Sequence, residues 1–301
     1  MKQQVFDFYT ALIEREAGIH LSSDKAYLLE GRLSPIARKY NLPDIEALSR
    51  KLAMPDGRSI KVEVIDALTT NESFFFRDGK PFDQFRDIVL PEILSRNAGS
   101  KKFRIWSAAC SSGQEAYSLA MLLKEQAGRL AGWQYEIVGT DLSREMVARA
   151  KTGIFSQFEV QRGLPVQLLV KYFKRDGLNW ALDPTVCRMV SFREHNLLSD
   201  SRLLGKFDAV FCRNVLIYFE PPTKRLVLTQ IARATAPNGA LFLGSAETAL
   251  GVSEDFAPMK GVRGLYALGN GASKPGAAPV PTIRPAIPNP IAPKPPVSRL
   301  H

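Results

Sequence analysis

The chain has 301 residues, 45% of them hydrophobic and 23% charged, with a formal net charge of +10. That length accommodates one large or two smaller domains with a substantial core, and that composition excludes wholesale disorder and a disulfide scaffold. No apolar run reaches the ~18 residues of a bilayer span, and the opening MKQQVFDFYT lacks the basic-then-apolar layout of a signal peptide, so a cytoplasmic protein without membrane insertion is expected. The positive charge invites a nucleic-acid partner. Its distribution does not support one. Residues 1–70 hold ten basic and ten acidic side chains, residues 270–301 hold four basic and no acidic ones, and the remaining excess is spread thinly over residues 101–269. Cys110, Cys187 and Cys212 are far apart and lack C-x-x-C spacing, which indicates neither a zinc site nor a disulfide framework. His20, His195 and His301 are the only histidines, and none lies beside a Ser or Cys in a nucleophile motif, so a hydrolase triad is not indicated.

In chain order, Val5, Phe8, Leu12 and Ile13 have helical apolar spacing and Gly18 offers a stop. A second helix can start after Ser22 or Ser23 and run towards Tyr40, with Pro35 as a bend or boundary. Asp44 can cap a third helix with Ile45, Leu48 and Leu52 on one face, and Ile60, Val64 and Leu68 line a fourth. Strand-like alternation is lacking before residue 100, which predicts a small helical module. After Lys101 the texture changes. The apolar run FRIWSAA, a small-residue loop Cys110 to Gly113 and an amphipathic stretch from Gln114 form a strand-loop-helix unit, and YEIVGT at 135–140 is a second strand. Further strands are predicted at Phe207 to Cys212 and Ala240 to Gly244, with a helix over Thr223 to Ala236 between them. Strands alternating with helices imply a parallel sheet covered on both faces. Residues 171–194, with short alternating pieces around Asp176-Gly177, read as a small β insertion. From residue 270 onwards nine of 32 residues are proline, a composition that favours an extended or disordered tail or linker.

The unit RIWSAACSSGQEAYSLA has the layout of a nucleotide-type cofactor site at the carboxyl end of a parallel strand. It lacks G-x-G-x-x-G, so a ligand with an adenosine but without phosphates fits better than a dinucleotide. Asp141, closing the second strand, can accept hydrogen bonds from ribose hydroxyls or cap the next helix. TTNESFFFRD at 69–78 places Asn71, Glu72, Ser73 and Arg77 beside three phenylalanines that can pack an interdomain seam. Arg213 and Asn214 in FCRNVLIYF follow a buried strand, where open sheets bind ligands.

Taken together, TTNESFFFRD, RIWSAACSSGQEAYSLAM, GTDLS, HNLL at 195–198 and FDAVFCRNVLIYF resemble, in order, the blocks of the chemotaxis-receptor glutamate methyltransferases, the CheR family. The resemblance spans roughly residues 5–269. It implies an α/β fold: a Rossmann-like S-adenosylmethionine-dependent sheet domain over 76–269 with a β subdomain at about 171–194, preceded by an all-α receptor-docking domain over 1–75. It implies transfer of a methyl group from S-adenosylmethionine to receptor glutamates, leaving S-adenosylhomocysteine, with no metal. Carried over residue by residue, the cofactor site comprises Asn71, Ser73, Arg77, Glu115, Asp141, Asn196, Leu197, Arg213 and Asn214. Ser73 stands where many relatives have threonine, and Gln114 where glutamate is commoner. Tyr218 matches a family tyrosine near the transferred methyl group. Arg77 either holds the methionine carboxylate of the cofactor or guides the substrate carboxylate. Lys25, Arg32, Arg38 and Lys39 are the candidates for docking an acidic receptor helix, the first, second and fourth recurring every seventh residue. The short hairpin KRDGLN implies no tether to a receptor-tail peptide. A monomer is expected. The alternatives are a methyltransferase with another protein or small-molecule acceptor, and a cofactor-binding adaptor without catalysis.

Overall fold

The structure, a computed structural model, describes residues 1–269. The proline-rich segment lies outside the described residues. The described chain divides into two compact units between Thr69 and Thr70.

The first unit is all-α, with α1 (Gln3–Ala17), α2 (Ala26–Lys39), α3 (Ile45–Leu52) and α4 (Arg58–Leu68). α1 buries Val5, Leu12 and Ile13 of the expected stripe, but Phe6 and Tyr9 complete it, and Phe8 is only half-buried. It ends at Gly18, left-handed at φ 74°, whose N–H closes onto the Glu14 carbonyl. The buried Tyr9 hydroxyl donates to the Ile45 carbonyl at 2.7 Å, joining α1 to the start of α3. Asp44 caps α3 by accepting the Ala47 N–H at 2.7 Å. Two expectations for α2 change. A separate 3-10 turn, Ser23–Lys25, precedes it, so Lys25 stands ahead of the helix rather than on its face. The helix also runs through Pro35. Gly31, whose carbonyl loses its partner there, and Pro35 are both exposed, so water can take the vacant bond.

The second unit is built on a seven-stranded sheet in the order β6-β2-β1-β7-β8-β10-β9. Its strands are β1 (Lys102–Ala108), β2 (Gln134–Asp141), β6 (Val190–Glu194), β7 (Phe207–Cys212), β8 (Thr235–Leu243), β9 (Phe256–Pro258) and β10 (Leu265–Leu268). The five strands from β6 to β8 are parallel, and β10 is antiparallel to both its neighbours. The chain proceeds outward from β1 in one direction and returns to β7 on its other side, which makes the β1/β7 boundary the switch point. Ahead of β1 comes one helical stretch, α5 (Lys80–Gln84), a π-helical turn (Phe85–Val89) and α6 (Leu90–Arg96). The crossovers include α7 (Gln114–Glu125) after β1, α8 (Arg144–Thr152) after β2, and α9 (Pro221–Ala234) after β7. From Ala209 to Cys212 in β7 and from Ala240 to Leu243 in β8 the strands are apolar and buried on both faces, as a covered parallel sheet requires. Phe211 and Phe242 stack at 4.2 Å across them, with Phe85 edge-on to both.

The small antiparallel sheet has the order β3-β5-β4, from β3 (Ile154–Ser156), β4 (Phe173–Asp176) and β5 (Asn179–Leu182). It therefore differs from the insertion expected over 171–194. Residues 190–194 pair in parallel with Ile137 to Asp141 in the main sheet, while β3, too short to show alternation, supplies the third strand. The β4–β5 turn is Gly177-Leu178, with Gly177 at φ 58°. The seam reading of the phenylalanines also changes, and with it the boundary at residue 75. Phe75 is wholly buried inside the second unit, edge-on to Phe155 at 4.9 Å and Phe173 at 5.6 Å, so the segment from Thr70 belongs there.

Candidate active site

Of the loops at the carboxyl ends of β1, β2, β6 and β7, those after β1 and β7 hold their backbone in costly conformations. Ala109 (φ 57°), Ser111 (φ 50°) and Gly113 (φ 95°) alternate through the β1–α7 loop, and Asn214 (φ 59°) follows β7. Phe76 (φ 48°), Asp78 (φ 68°) and Gly79 (φ 59°) also have positive φ ahead of α5. Non-glycine residues in this region cost about 1–3 kcal/mol each and persist only where surrounding bonds fix them. At Gly113 the need for glycine is steric as well. A Cβ would stand 3.1–3.2 Å from Ala150, Phe192 and Tyr117.

Those fixing bonds are made by buried charge. Asp141 is 7% exposed; its Oδ2 accepts the Ser111 N–H at 2.7 Å and its Oδ1 the Ser143 N–H at 2.9 Å. Burial pushes its carboxyl pKa up, and the backbone bonds from Ser143, Ser111 and Leu142 oppose the rise. Ser111 Oγ also donates to the Asn71 carbonyl at 2.8 Å. Glu115, in the first turn of α7, accepts from Ser107 Oγ at 2.8 Å and from Arg213 Nη1 at 2.9 Å. The Arg213 side chain is 1% exposed. Its Nη2 donates to the Arg77 carbonyl and to Asp78 Oδ2, each at 2.7 Å, while its Nε–H has no hydrogen-bond partner among the described residues. One guanidinium thus ties the end of β7 to α7 and to the strained 76–79 segment.

The structure brings most of the expected site residues to this edge. Asn71 arrives through Ser111, Arg77 through Arg213, and Glu115, Asp141, Arg213 and Asn214 directly. Asn196 and Leu197 follow β6 beside His195, whose N–H donates to the Asp141 carbonyl at 2.9 Å. Asn196 Oδ1 accepts the Leu198 N–H at 3.0 Å, and Leu197 is buried. Burial pushes the His195 pKa down, leaving a neutral ring edge-on to Trp106 and 3.0 Å from Ser201 Oγ. The Arg77 guanidinium donates to the Glu72 carbonyl at 2.9 Å and lies over the Phe74 ring at 5.2 Å. Ser73 and Tyr218 are half-buried, Tyr218 in a 3-10 turn, Leu216–Tyr218. The four docking candidates lie in the helical unit and are not alike. Arg32 Nη1 donates to the Leu68 and Thr69 carbonyls, both at 3.0 Å, and so caps α4, while Lys39 pairs with Glu63 at 2.7 Å. Two residues that sequence reasoning missed complete the edge: Asp78, a ligand of Arg213, and Glu247, which binds the backbone after β7. Asp78 sits in the quoted TTNESFFFRD block, but nothing in its spacing marks a partner 135 residues away.

The edge has the chemistry to take an adenosine cofactor without phosphates. The Asp141 carboxylate takes three backbone N–H bonds against about four acceptor sites and so keeps capacity for a ribose hydroxyl. α7 starts without a side-chain cap. Arg213 Nε is a buried donor without a partner among the described residues. These features fit such a ligand. No group of three or more His, Cys, Asp or Glu is placed to hold a metal among the described residues, and no helix there is long and apolar enough to cross a membrane. An open sheet with acidic loops at its switch point, together with the match of residues 71–265 to a SAM binding domain, defines the class, a Rossmann-like S-adenosylmethionine-dependent methyltransferase.

Comparison with known proteins narrows that class. Residues 4–69 match the domain described as CheR methyltransferase, all-alpha domain, and residues 71–265 the CheR methyltransferase, SAM binding domain. The chain is 42% identical over 248 residues to chemotaxis protein methyltransferase 1 of Pseudomonas aeruginosa, covering 80% of this chain and 89% of that one. It is 39% identical over 257 residues to chemotaxis protein methyltransferase Cher2 of Pseudomonas putida (83% and 92%), and 38% over 259 residues to a chemotaxis protein methyltransferase of Vibrio anguillarum (85% and 93%). This chain belongs to the CheR methyltransferase family, S-adenosylmethionine-dependent enzymes of chemotaxis.

Proposed function

We propose that this protein esterifies glutamate side chains on the cytoplasmic helical domain of chemoreceptors, acting in the cytoplasm as a monomer. The observation that carries the reading is the Asp141–Ser111 and Glu115–Arg213–Asp78 network, which gathers the family's motif residues onto one sheet edge. Asp141 holds the ribose of the cofactor. Glu115, Asn71, Ser73, Asn196, Leu197, Arg213 and Asn214 line the rest of its site. Bound S-adenosylmethionine supplies an electrophilic methyl carbon on a sulfonium.

A glutamate is ionised near pH 7 and attacks that carbon without a general base, so the protein's work is placement and the exclusion of water. Arg77 presents a planar guanidinium shaped for a carboxylate, and we assign it to the substrate glutamate or the cofactor carboxylate. Tyr218 stands beside the methyl group. In the helical unit, Lys25, Arg38 and Lys39 offer charge to an acidic receptor helix, and Arg32 contributes chiefly by ending α4. The test is transfer of tritium from methyl-labelled S-adenosylmethionine to purified receptors, followed by base hydrolysis. Label released as methanol is expected. Label that resists base, or transfer to no receptor, excludes receptor glutamate esters.

A further inference from the structure

Glu247 lies just beyond β8 in a tight turn, its own N–H bonded to the Gly244 carbonyl at 3.0 Å. It is 9% exposed, and its carboxylate is surrounded by main-chain donors. Oε2 accepts the N–H groups of Asn214 at 2.8 Å and Gly244 at 2.6 Å; Oε1 accepts those of Val215 at 2.9 Å and Ile217 at 3.3 Å. A carboxylate offers about four acceptor sites, so this one is fully occupied by backbone.

The segment it holds is strained. Asn214 is left-handed at φ 59°, and Val215 follows at φ −125°, ψ −37°. Successive N–H groups in such a turn converge on one side and form a concavity for an anion. Here the anion is the chain's own carboxylate, and its charge-assisted bonds offset the cost of the left-handed asparagine. Gly244 leaves room for it. A Cβ there would stand 2.7 Å from Glu247 Oε2, 2.9 Å from Asn214 Nδ2 and 3.0 Å from the Asn214 nitrogen. The neighbouring Cys212 is wholly buried, and its thiol pKa is pushed well up first by that burial and then by the Glu247 charge.

We infer that Glu247 is a positioning residue for methyl transfer: it fixes the turn that carries Asn214 and Tyr218 while touching neither cofactor nor substrate. The inference rests on the assignment of those two residues to the site. Glutamine at 247 keeps the shape but replaces one acceptor oxygen with an amide that faces N–H donors, so the turn is released. A merely structural role would lower the melting temperature and leave the kinetics of the folded protein alone.

The experiment measures S-adenosylhomocysteine affinity by calorimetry and tritium transfer to receptor with the full chain. Glu247→Gln is expected to weaken affinity about tenfold and lower kcat about a hundredfold, the scale of a ~1 Å misplacement, with part of the loss recovered in Glu247→Asp. Because Glu247 acts through the turn, adding it to Asn214→Ala should cost less than about threefold more than the worse single change. Fully multiplied losses, or wild-type affinity and kcat in Glu247→Gln, overturn the inference. Should Glu247→Gln not fold, Gly244→Ala serves instead. It alters no charge, its backbone is outside the left-handed region, and its methyl group crowds Oε2 off the turn. A folded Gly244→Ala with normal affinity and kcat also overturns the inference. If the wild type binds the cofactor but methylates no receptor, the proposed substrate fails, and the affinity measurements still decide the role of Glu247.

Discussion

The two units of this chain place charge in opposite ways. In the helical unit the ion pairs lie on the surface: Lys2–Glu46, Arg50–Glu46 and Lys39–Glu63 each leave at least one partner widely exposed. Its helices carry few strained residues, and their order comes from apolar stripes and caps. At the carboxyl edge of the large sheet the charges are inside, and they hold a backbone that would otherwise relax. Exposed pairs contribute little because water screens them and their side chains lose entropy, whereas a buried carboxylate or guanidinium that loses its partner is left uncompensated. A substitution in the first unit therefore tests docking, and one at the sheet edge tests assembly of the site.

The largest effect expected is that of Arg213→Met. It leaves Glu115 and Asp78 without their shared cation and frees the strained segment at 76–79, at a cost of about 3 kcal/mol in urea unfolding, with loss of cofactor affinity. A stability loss no larger than that of a surface exchange would erase the contrast between the two regions. Arg77→Ala keeps the fold, since the link to Arg213 uses the Arg77 carbonyl, but should lower kcat with receptor about a hundredfold. Near-normal turnover would remove Arg77 from the site.

Arg32→Ala should cost about 1 kcal/mol, because two carbonyls at the end of α4 lose a charged donor. Any receptor-binding defect in that variant must be read against this loss, so Arg38→Glu is the cleaner probe of docking and is expected to weaken receptor binding without changing the melting temperature. His195 provides a finer measure. Its folded pKa lies below the ordinary value near 6.5, so below that pH the unfolded chain takes the proton first and native stability falls as pH drops. His195→Asn should flatten that part of the stability curve relative to wild type, and an unchanged slope would show that the ring does not titrate on unfolding. The smallest effect is that of Lys39→Ala, which should leave the unfolding midpoint unmoved despite its 2.7 Å contact with Glu63.

How far the sequence could be read follows the same division. The α1 stripe, the Gly18 stop and the Asp44 cap were legible because each is set within a few residues. The buried strands β1, β2 and β7 were legible as apolar runs. The passage of α2 through Pro35 was not, because it depends on which face of the helix meets water. Nor was the membership of residues 190–194 in the main sheet, which is decided by pairing with a strand some fifty residues earlier in the chain. At the candidate site, resemblance supplied positions and the local residues supplied plausible chemistry, but the partners were invisible. Glu115 and Arg213 are separated by 98 positions, and Glu247 works on backbone donors that no side-chain pattern encodes.

The Arg213 clamp has a consequence for the birth of the protein. The segment at 76–79 leaves the ribosome long before its anchor does, since 136 residues separate Arg77 from Arg213. The helical unit, whose bonds described above are all made within its first 69 residues, can acquire its fold while the rest is still being translated. The strained turn cannot. It must stay open until the end of β7 has been made and the sheet has closed around it, so a part of the site that is among the first to be synthesised sets late.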